Sequence, residues 1–393
     1  MRLLFTFAGG NGHLEPLLPL ARAAEDVGHV VAFAGRPWMV LSVESAGFPA
    51  FPAGSDIGLT PVRRPLAKVD LEHEMRAVGP GFGRRVAQAR ATDLLLLCTQ
   101  WQPDLLVCDE IDFGALVVGE RLAIPYATVL VIASGSFVRP EFVAEFVNEV
   151  RAAHGLRPDP QLAARSRYLV LSPIPLSYRD PGVPVPATTH ACRLYGQDLL
   201  RRERLRIPWR SRSSDLPTVY FTLGTVFNLE SGDLFNRVVA GLRELPINLV
   251  VTVGHDVDPV ELGPQPENVH LERYIPQAEL LPHCELVVTH GGSGSVLGAL
   301  AHGVPLLVLP LGADQPMNAA RCETLGVGRK LDALTASPGA VCDAVARMLA
   351  DPSYRQAAER FRAENSALPH PSSVVQLFER LAKEKRPIHS DTN

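Results

Sequence analysis

The stretch Glu285–Pro310 restricts the fold of this chain more than any other. It opens with an apolar run, Leu286–Thr289, which stops at the letters HGGSGS. A run of small residues, Val296–His302, has the length of a short helix, and Gly303 ends it before a second apolar run, Pro305–Leu309. The order predicts strand, tight turn, helix and strand, which is the repeating unit of parallel α/β sheets.

The turn in this stretch has the composition of an anion site. Glycine lets backbone N–H groups approach a ligand closely, and the start of a helix attracts negative charge. Histidine and serine add side-chain donors there, at His290, Gly292, Ser293, Gly294 and Ser295. A turn that needs glycine only for its shape would carry similar glycines, but the added histidine and serines favour phosphate binding.

The same rhythm begins at the first residues. Arg2–Ala8 is apolar, and a glycine-rich turn leads to His13 and a helix. His29–Ala34 predicts a second strand and Pro37–Ala46 a second helix, which together indicate a parallel, doubly wound sheet. The first turn lacks GxGxxG spacing and the second strand carries no acid for a ribose, so a dinucleotide oxidoreductase is disfavoured. Residues Pro52–Gly83 show no regular pattern.

The length of 393 residues indicates two domains. Prolines and arginines concentrate between Pro173 and Pro217 and mark the connection. We predict an N-terminal domain over residues 1–205 and a second domain over 206–371. A C-terminal helix that packs back on the first domain and a disordered tail complete the chain over 372–393. Two doubly wound, Rossmann-like domains are expected to face each other across a cleft, with ligands at the carboxyl ends of the strands.

Composition excludes several classes of function. A net charge of −4 gives no electrostatic basis for binding nucleic acid or an anionic membrane. The six cysteines show no metal-binding spacing, no apolar run reaches 18 residues, and the first residues lack a signal sequence. These features predict a cytoplasmic protein.

Several motifs, in this order and spacing, carry a family likeness that covers nearly the whole chain. They are Gly10–His13 with the following LEPLLPLA helix, Phe221–Thr225, Arg273–Gln277, Thr289–Ser295 and Gly312–Ala319. Together they resemble the family 1 glycosyltransferases of the GT-B fold, and most of all the bacterial enzymes that glycosylate antibiotics and other natural products.

The resemblance implies inverting transfer with a histidine as general base. His13 matches that base, and its ordinary pKa near neutrality suits the task; a histidine that only caps a helix is the alternative. A carboxylate on the other ring nitrogen would fix its tautomer. Asp109 is the candidate, with Glu110 and Asp112 as rivals, and Asp109 could instead cap the next helix.

The resemblance also implies a donor site in the second domain. His290, Gly292, Ser293, Ser295 and the backbone around Gly294 match the pyrophosphate site. Thr225 matches the residue that contacts the terminal phosphate. Fixed donors of this kind can replace a metal; the resemblance implies neither metal nor cofactor, only a nucleotide-sugar co-substrate. Asp314 and Gln315 match the pair that binds sugar hydroxyls, an ordinary turn being the alternative.

The base and ribose positions favour one class of nucleotide. Ile275 and Gln277 are expected to hold the pyrimidine. Family members that use a ribonucleotide often carry a glutamate eight residues beyond the motif histidine, and here that position is Gly298. We therefore predict a TDP-sugar, with a deoxysugar, rather than a UDP-sugar.

The acceptor is expected to be a small apolar aglycone such as a polyketide, contacted by aromatic residues of the first domain. The candidates are Phe82, Phe142 and Phe146, the last two of which helical core packing explains equally well. Other functions stay open: a sugar-nucleotide epimerase of the same fold, or a non-catalytic sugar-nucleotide-binding partner. A homodimer also stays open.

Overall fold

A computed structural model describes residues 1–55, 63–196 and 216–390. The chain divides into two compact units, neither of which is continuous in sequence. The first contains Met1–Leu59, Glu72–Leu194 and Leu368–Asn393, and the second contains Thr60–Leu71 and Tyr195–Ala367. No helix in the described ranges is long and apolar enough to cross a bilayer.

The first unit is built on a seven-stranded parallel sheet in the order β3-β2-β1-β4-β5-β6-β7. Its strands are β1 Arg2–Thr6, β2 Val30–Gly35, β3 Ala50–Pro52, β4 Leu105–Asp109, β5 Tyr126–Val129, β6 Leu169–Ser172 and β7 Thr189–Ala191. Every residue of β4 is buried, as expected of a central strand covered on both faces.

Within the part of the chain that the structure describes, eight α-helices flank this sheet. They are α1 Asn11–Leu14, α2 Leu18–Asp26, α3 Val40–Ser45, α4 Leu71–Val78, α5 Ala87–Trp101, α6 Phe113–Leu122, α7 Pro140–Ala153 and, from the chain's end, α14 Pro371–Glu384. Helix α14 packs on α2 and β4, and Phe378 meets Phe5 edge-on with ring centroids 6.4 Å apart. At the start of this helix the side chain of His370, its N-cap residue, accepts a hydrogen bond from the Ser372 amide.

The second unit holds a six-stranded parallel sheet in the order β10-β9-β8-β11-β12-β13. Its strands are β8 Thr218–Thr222, β9 Asn248–Thr252, β10 Val269–Glu272, β11 Leu286–Thr289, β12 Leu306–Val308 and β13 Gly328–Lys330. The helices are α8 Leu234–Leu242, α9 Gln277–Leu280, α10 Ser293–Ala301, α11 Gln315–Thr324, α12 Pro338–Ala350 and α13 Pro352–Ala367. The predicted α/β architecture with two parallel, Rossmann-like sheets is confirmed.

The expectation of irregular structure over Pro52–Gly83 is wrong for its later part. Helix α4 continues into a π-helical segment, Gly79–Val86, before α5. Gly79 of that segment serves close packing rather than a loop, because a Cβ there would lie 2.3 Å from the carbonyl oxygen of Phe142 in α7. Glycine usually argues against a helix, and here the tertiary contact overrides that preference.

A short segment from the first half of the sequence belongs to the second unit. Arg63 pairs with Glu261, and the Arg64 amide donates to the Leu229 carbonyl at 2.9 Å. Leu66 packs against the apolar core under the second sheet. The first unit therefore lacks Thr60–Leu71, which lie inside the predicted first domain of residues 1–205, and it includes Leu368–Asn393, which lie outside that domain. Strand β7 belongs to the first sheet although it lies in the predicted connection. The boundary at residue 205 lies outside the described residues.

Candidate active site

A histidine–aspartate pair stands at the carboxyl ends of β1 and β4, which are neighbours in the first sheet. His13 lies in the one-turn helix α1 directly after β1, and Asp109 is the last residue of β4. The His13 Nδ1 and Asp109 Oδ2 atoms are 3.1 Å apart. An ionised carboxylate can only accept, so Nδ1 carries the hydrogen and Nε2 carries the ring's lone pair. That tautomer presents a base.

Gly9 makes room for this imidazole. A Cβ on Gly9 would lie 2.1 Å from Cδ2 of His13, closer than any real contact allows. The His13 side chain keeps 22% of its surface exposed, whereas Asp109 is fully buried. The histidine is thus accessible while its partner is sealed in the protein.

Asp109 is held as a carboxylate by three donors. Its Oδ2 accepts from the Ala8 amide at 2.8 Å and from His13, and its Oδ1 accepts from the Ile111 amide at 2.8 Å. Burial alone would raise the pKa of Asp109, but attraction to the protonated form of His13 and these hydrogen bonds outweigh it and lower the pKa below its ordinary value.

The two rival carboxylates have other partners. Glu110 accepts from the Val131 and Ile132 amides at 2.8 Å, and Arg165 donates to it at 2.6 Å. Asp112 is fully buried with Arg90, and it also caps α6. Asp109 is therefore the member of this acidic run that contacts His13.

One of the three predicted acceptor aromatics lies beside the pair. The rings of Phe82 and His13 are nearly parallel, with centroids 6.5 Å apart. Phe142 and Phe146 instead lie under guanidinium groups, with Arg76 4.4 Å from the first ring centroid and Arg84 5.1 Å from the second. The Phe146 ring thus packs against the π-helical segment and the Phe142 ring against Arg76 of α4, whereas Phe82 is the predicted aromatic next to the base.

The predicted phosphate site in the second unit is formed around His290. This residue follows β11, and β11 pairs with β8, so the turn that holds Gly224 and Thr225 lies next to it. A Cβ on Gly224 would come within 2.7 Å of the imidazole, and so would one on Gly292. The ring fills a space that only glycines on both sides leave open.

Burial sets the charge of His290. The side chain is 7% exposed, and burial lowers its pKa to about 4. Its Nδ1 lies 3.2 Å from Oγ1 of Thr289. At neutral pH the ring is therefore uncharged, and it offers a ligand a hydrogen-bonding nitrogen rather than a positive charge.

The glycine-rich turn leads into a helix earlier than the sequence indicated. Helix α10 begins at Ser293, not at Val296, with Gly292 at the N-cap. The amides of its first turn have no acceptors within the helix, so Ser293, Gly294 and Ser295 supply the donors that an anion requires. Gly291 precedes them with φ of +91°, which favours glycine.

Asn318 organises this turn, and the predicted site did not include it. Its Nδ2 donates to the Gly291 carbonyl at 2.9 Å and to Asp314 Oδ2 at 2.8 Å, and it lies 3.2 Å from Ser293 Oγ. The Ser293 hydroxyl itself donates to Asp314 at 2.5 Å. Asn318 lies four residues after Asp314, one helical turn later, and this spacing was the signal in the sequence that could have identified it.

The side chain of Gln315 supports the local fold, which restricts the sugar-binding role predicted for it. Its side chain is buried, and its Oε1 accepts from the Leu311 and Gly312 amides at 2.7 and 3.1 Å. The amide oxygen therefore shapes the loop before α11. Asp314, half-buried at the N-cap of α11, is the more accessible member of the predicted sugar-binding pair.

The predicted base-binding residues adjoin the phosphate turn. Gln277 Nε2 lies 3.3 Å from Ser295 Oγ, and Ile275 is buried before α9. Gly298 faces the same helix: a Cβ there would stand 3.5 Å from Leu281 Cδ1 and 3.9 Å from Gln277 Oε1. The position has room for a side chain, yet this chain carries no acid there.

Comparison with protein families finds one match, over residues 236–381, to the C-terminal domain described as Erythromycin biosynthesis protein CIII-like. Those residues contain the His290 turn, Asp314 and Asn318.

Two curated relatives align with almost the whole chain. The tylactone mycaminosyltransferase of Streptomyces fradiae is 27% identical over 97% of this chain and 92% of its own length. The TDP-daunosamine transferase DnrS of Streptomyces peucetius is 27% identical over 98% of both chains. Among solved structures, the glycosyltransferase SsfS6 of Streptomyces sp. SF2575, complexed with thymidine diphosphate, has a TM-score of 0.75, 25% identity and coverage of 97% of this chain and 99% of its own.

Proposed function

Since the chain is a glycosyltransferase of the GT-B fold, of the bacterial type that glycosylates antibiotics and other natural products, we propose that it transfers a deoxysugar from a TDP-sugar to a hydroxyl of a polyketide-like aglycone. The observation that carries a catalytic role is the His13–Asp109 pair, in which the nitrogen opposite the carboxylate is a base.

The proposed mechanism needs one proton transfer. Nε2 of His13 takes the proton of the acceptor hydroxyl as its oxygen attacks the anomeric carbon, and the bond to the diphosphate breaks with inversion. Asp109 keeps the imidazole in the required tautomer and stabilises the imidazolium that forms.

The departing diphosphate takes up negative charge as its bond to the sugar breaks. The first-turn amides of α10, the neutral His290 ring and the Thr225 turn provide donors for it. We propose that these groups stabilise the leaving group without a metal. Transfer in excess EDTA should equal transfer without it, and a loss that Mg²⁺ restores would contradict this part of the proposal.

A TDP donor is supported by the absence of an acid at Gly298, beside Gln277. One of the matched relatives is named as a TDP-daunosamine transferase, and the matched structure of SsfS6 is a complex with thymidine diphosphate. Isothermal titration of the protein with TDP and with UDP compares the two nucleotides directly. We expect tighter TDP binding, and equal or tighter UDP binding would contradict a TDP donor.

Replacement of His13 by alanine separates the candidate functions. TDP binding should persist within about twofold, because His13 lies in the first unit, while transfer should fall by roughly 10²- to 10⁴-fold. His73→Ala, on an exposed face of α4, is the matched control and should retain wild-type transfer. Transfer that survives His13→Ala would refute the mechanism. Conversion of the sugar nucleotide without an acceptor would indicate the epimerase, and a wild-type protein that binds TDP but transfers nothing would indicate a non-catalytic partner.

A further inference from the structure

Arg179 is a buried cation that forms no ion pair with a carboxylate among the described residues. It follows β6 in the first unit and is 6% exposed. Its Nε and Nη1 atoms are buried, and neither has a hydrogen-bond partner among the described residues. Burial lowers the pKa of the guanidinium. A buried donor without a partner costs free energy, so a residue of this kind calls for an explanation.

The nearest carboxylate is already committed to other groups. Glu110 is the acid whose charge acts on Arg179, but both of its carboxylate oxygens accept hydrogen bonds from other residues. One of those donors is Arg165, so a single negative charge faces two guanidinium groups. The local sum is one positive charge.

Other buried arginines of the same unit are treated differently. Arg90 donates to both oxygens of Asp112 and to two backbone carbonyls. Arg151 donates to both oxygens of Glu120. Each of these two guanidinium groups is balanced by a carboxylate that it contacts with two nitrogens, whereas Nε and Nη1 of Arg179 have no partner among the described residues. Arg36, which is also buried, donates to the Ser55 carbonyl from two nitrogens.

The loop after β5 leaves room for the guanidinium. Gly135 has φ of +72°, and a Cβ there would stand 3.2 Å from Nη2 of Arg179. The next residue, Ser136, has a buried hydroxyl that likewise has no hydrogen-bond partner in the described ranges. Two elements that follow adjacent strands thus present unsatisfied polar groups at the same edge of the sheet as His13 and Asp109.

We propose that Arg179 binds an ionised oxygen of the acceptor, so that the preferred aglycone is an acidic ring compound bearing an enolate, a phenolate or a carboxylate. The inference rests on the proposed function, since it assigns the acceptor to this edge of the first unit. A guanidinium donates charge-assisted hydrogen bonds to an ionised oxygen, and the ligand's negative charge would balance the positive charge of Arg179.

The test uses ring compounds of nearly equal size that differ in charge. The full-length protein is titrated at neutral pH with lawsone, an enolate under these conditions, with naphthoate and with the neutral methyl ether of lawsone. We expect at least one of the ions to bind about tenfold or more tightly than the ether, and Arg179→Gln to reduce that preference to about twofold or less. Whichever of lawsone and naphthoate binds more tightly shows whether the site prefers an enolate or a carboxylate. Arg167→Gln, which removes an arginine paired with Glu120, is the matched control and should keep the preference.

A second measurement separates a binding role from a structural one. Removal of an unbalanced buried charge should not weaken the fold, so Arg179→Met should unfold at the wild-type temperature or above it. A fall of more than about 5 °C would show that the guanidinium supports the fold and would overturn the proposal. Equal binding of ions and ether, or no binding of any of them, would overturn it as well. TDP titration of the same samples tests the donor site separately: failure of the ring compounds with TDP binding intact refutes only this inference.

Discussion

Replacement of Asp109 by asparagine tests the pair on which the proposed mechanism depends. Asparagine has nearly the same shape but a single acceptor oxygen, whereas Asp109 accepts from Ala8, Ile111 and His13. If the oxygen stays with the Ile111 amide, the new NH₂ group faces the Ala8 amide, and two donors meet in a fully buried place. We expect a loss of about 1–3 kcal/mol in the free energy of unfolding from this mismatch.

The effect on catalysis should be larger and separable. Nδ1 of His13 would face a donor instead of a carboxylate, so the tautomer with the base on Nε2 loses its support. We expect kcat to fall by roughly 10²- to 10⁴-fold, or about 3–5 kcal/mol of transition-state stabilisation. The assay is TDP release from TDP-glucose with surrogate hydroxyl acceptors such as methylumbelliferone, alongside urea unfolding of the same samples.

Asp112→Asn is the matched control for this prediction. Asp112 is equally buried and also accepts several hydrogen bonds, but its side-chain partner is Arg90 and not His13. The control should lose stability to a similar or greater degree and keep most of its kcat under folding conditions. Equal losses of kcat in the two variants would show that the Asp109 effect is a stability effect, and the base–orienter interpretation would fail.

Three further predictions concern single residues of the two sites. Gly9→Ala should displace the His13 ring, because the new Cβ would stand 2.1 Å from Cδ2 of His13. Transfer should fall by about 10²-fold or more while TDP affinity in the titration is unchanged. Full transfer activity would contradict the packing described for Gly9. The free energy of unfolding should decrease as the pH falls from about 6.5 to 4, because unfolded His290 takes up a proton in that window while the buried ring, with a pKa of about 4, does not. The contribution is at most about 3 kcal/mol, and His290→Asn should flatten this part of the urea-unfolding profile; an unchanged slope would contradict a neutral buried ring. Gly298→Glu should raise the affinity for UDP relative to TDP by about tenfold, because its carboxylate would enter the space beside Gln277. Gly298→Gln, which lacks the charge, should give a smaller change. If UDP affinity does not rise relative to TDP, this position does not distinguish ribose from deoxyribose.

The sequence indicates a site residue best when a side chain with suitable chemistry directly follows a recognisable strand. His13 and Asp109 each follow an apolar strand, and parallel strands bring their carboxyl ends to one edge, so their proximity could be expected before the fold was known. The sequence could not choose among Asp109, Glu110 and Asp112. That choice depends on Arg90 and Arg165, which come from distant parts of the chain.

The failures have the same physical origin. Gly79 and Gly83 suggest a loop by local preference, but their lack of a side chain is what allows the π-helical segment to approach α7. Arg179 carries no local signal at all, because an arginine in a proline-rich stretch looks solvated until burial and partners are known. Contacts between residues far apart in sequence decide both cases.

The interleaved course of the chain determines how this protein could be recombined with its relatives. A hybrid that exchanges everything after residue 205 would keep the resident Arg63, Arg64 and Leu66 but replace the Glu261, Leu229 and core positions that they contact. It would also give β4 and α2 a foreign α14. A donor-specificity graft should therefore move Thr60–Leu71 together with Tyr195–Ala367 and leave Leu368–Asn393 with the parent, a cassette in two pieces rather than one.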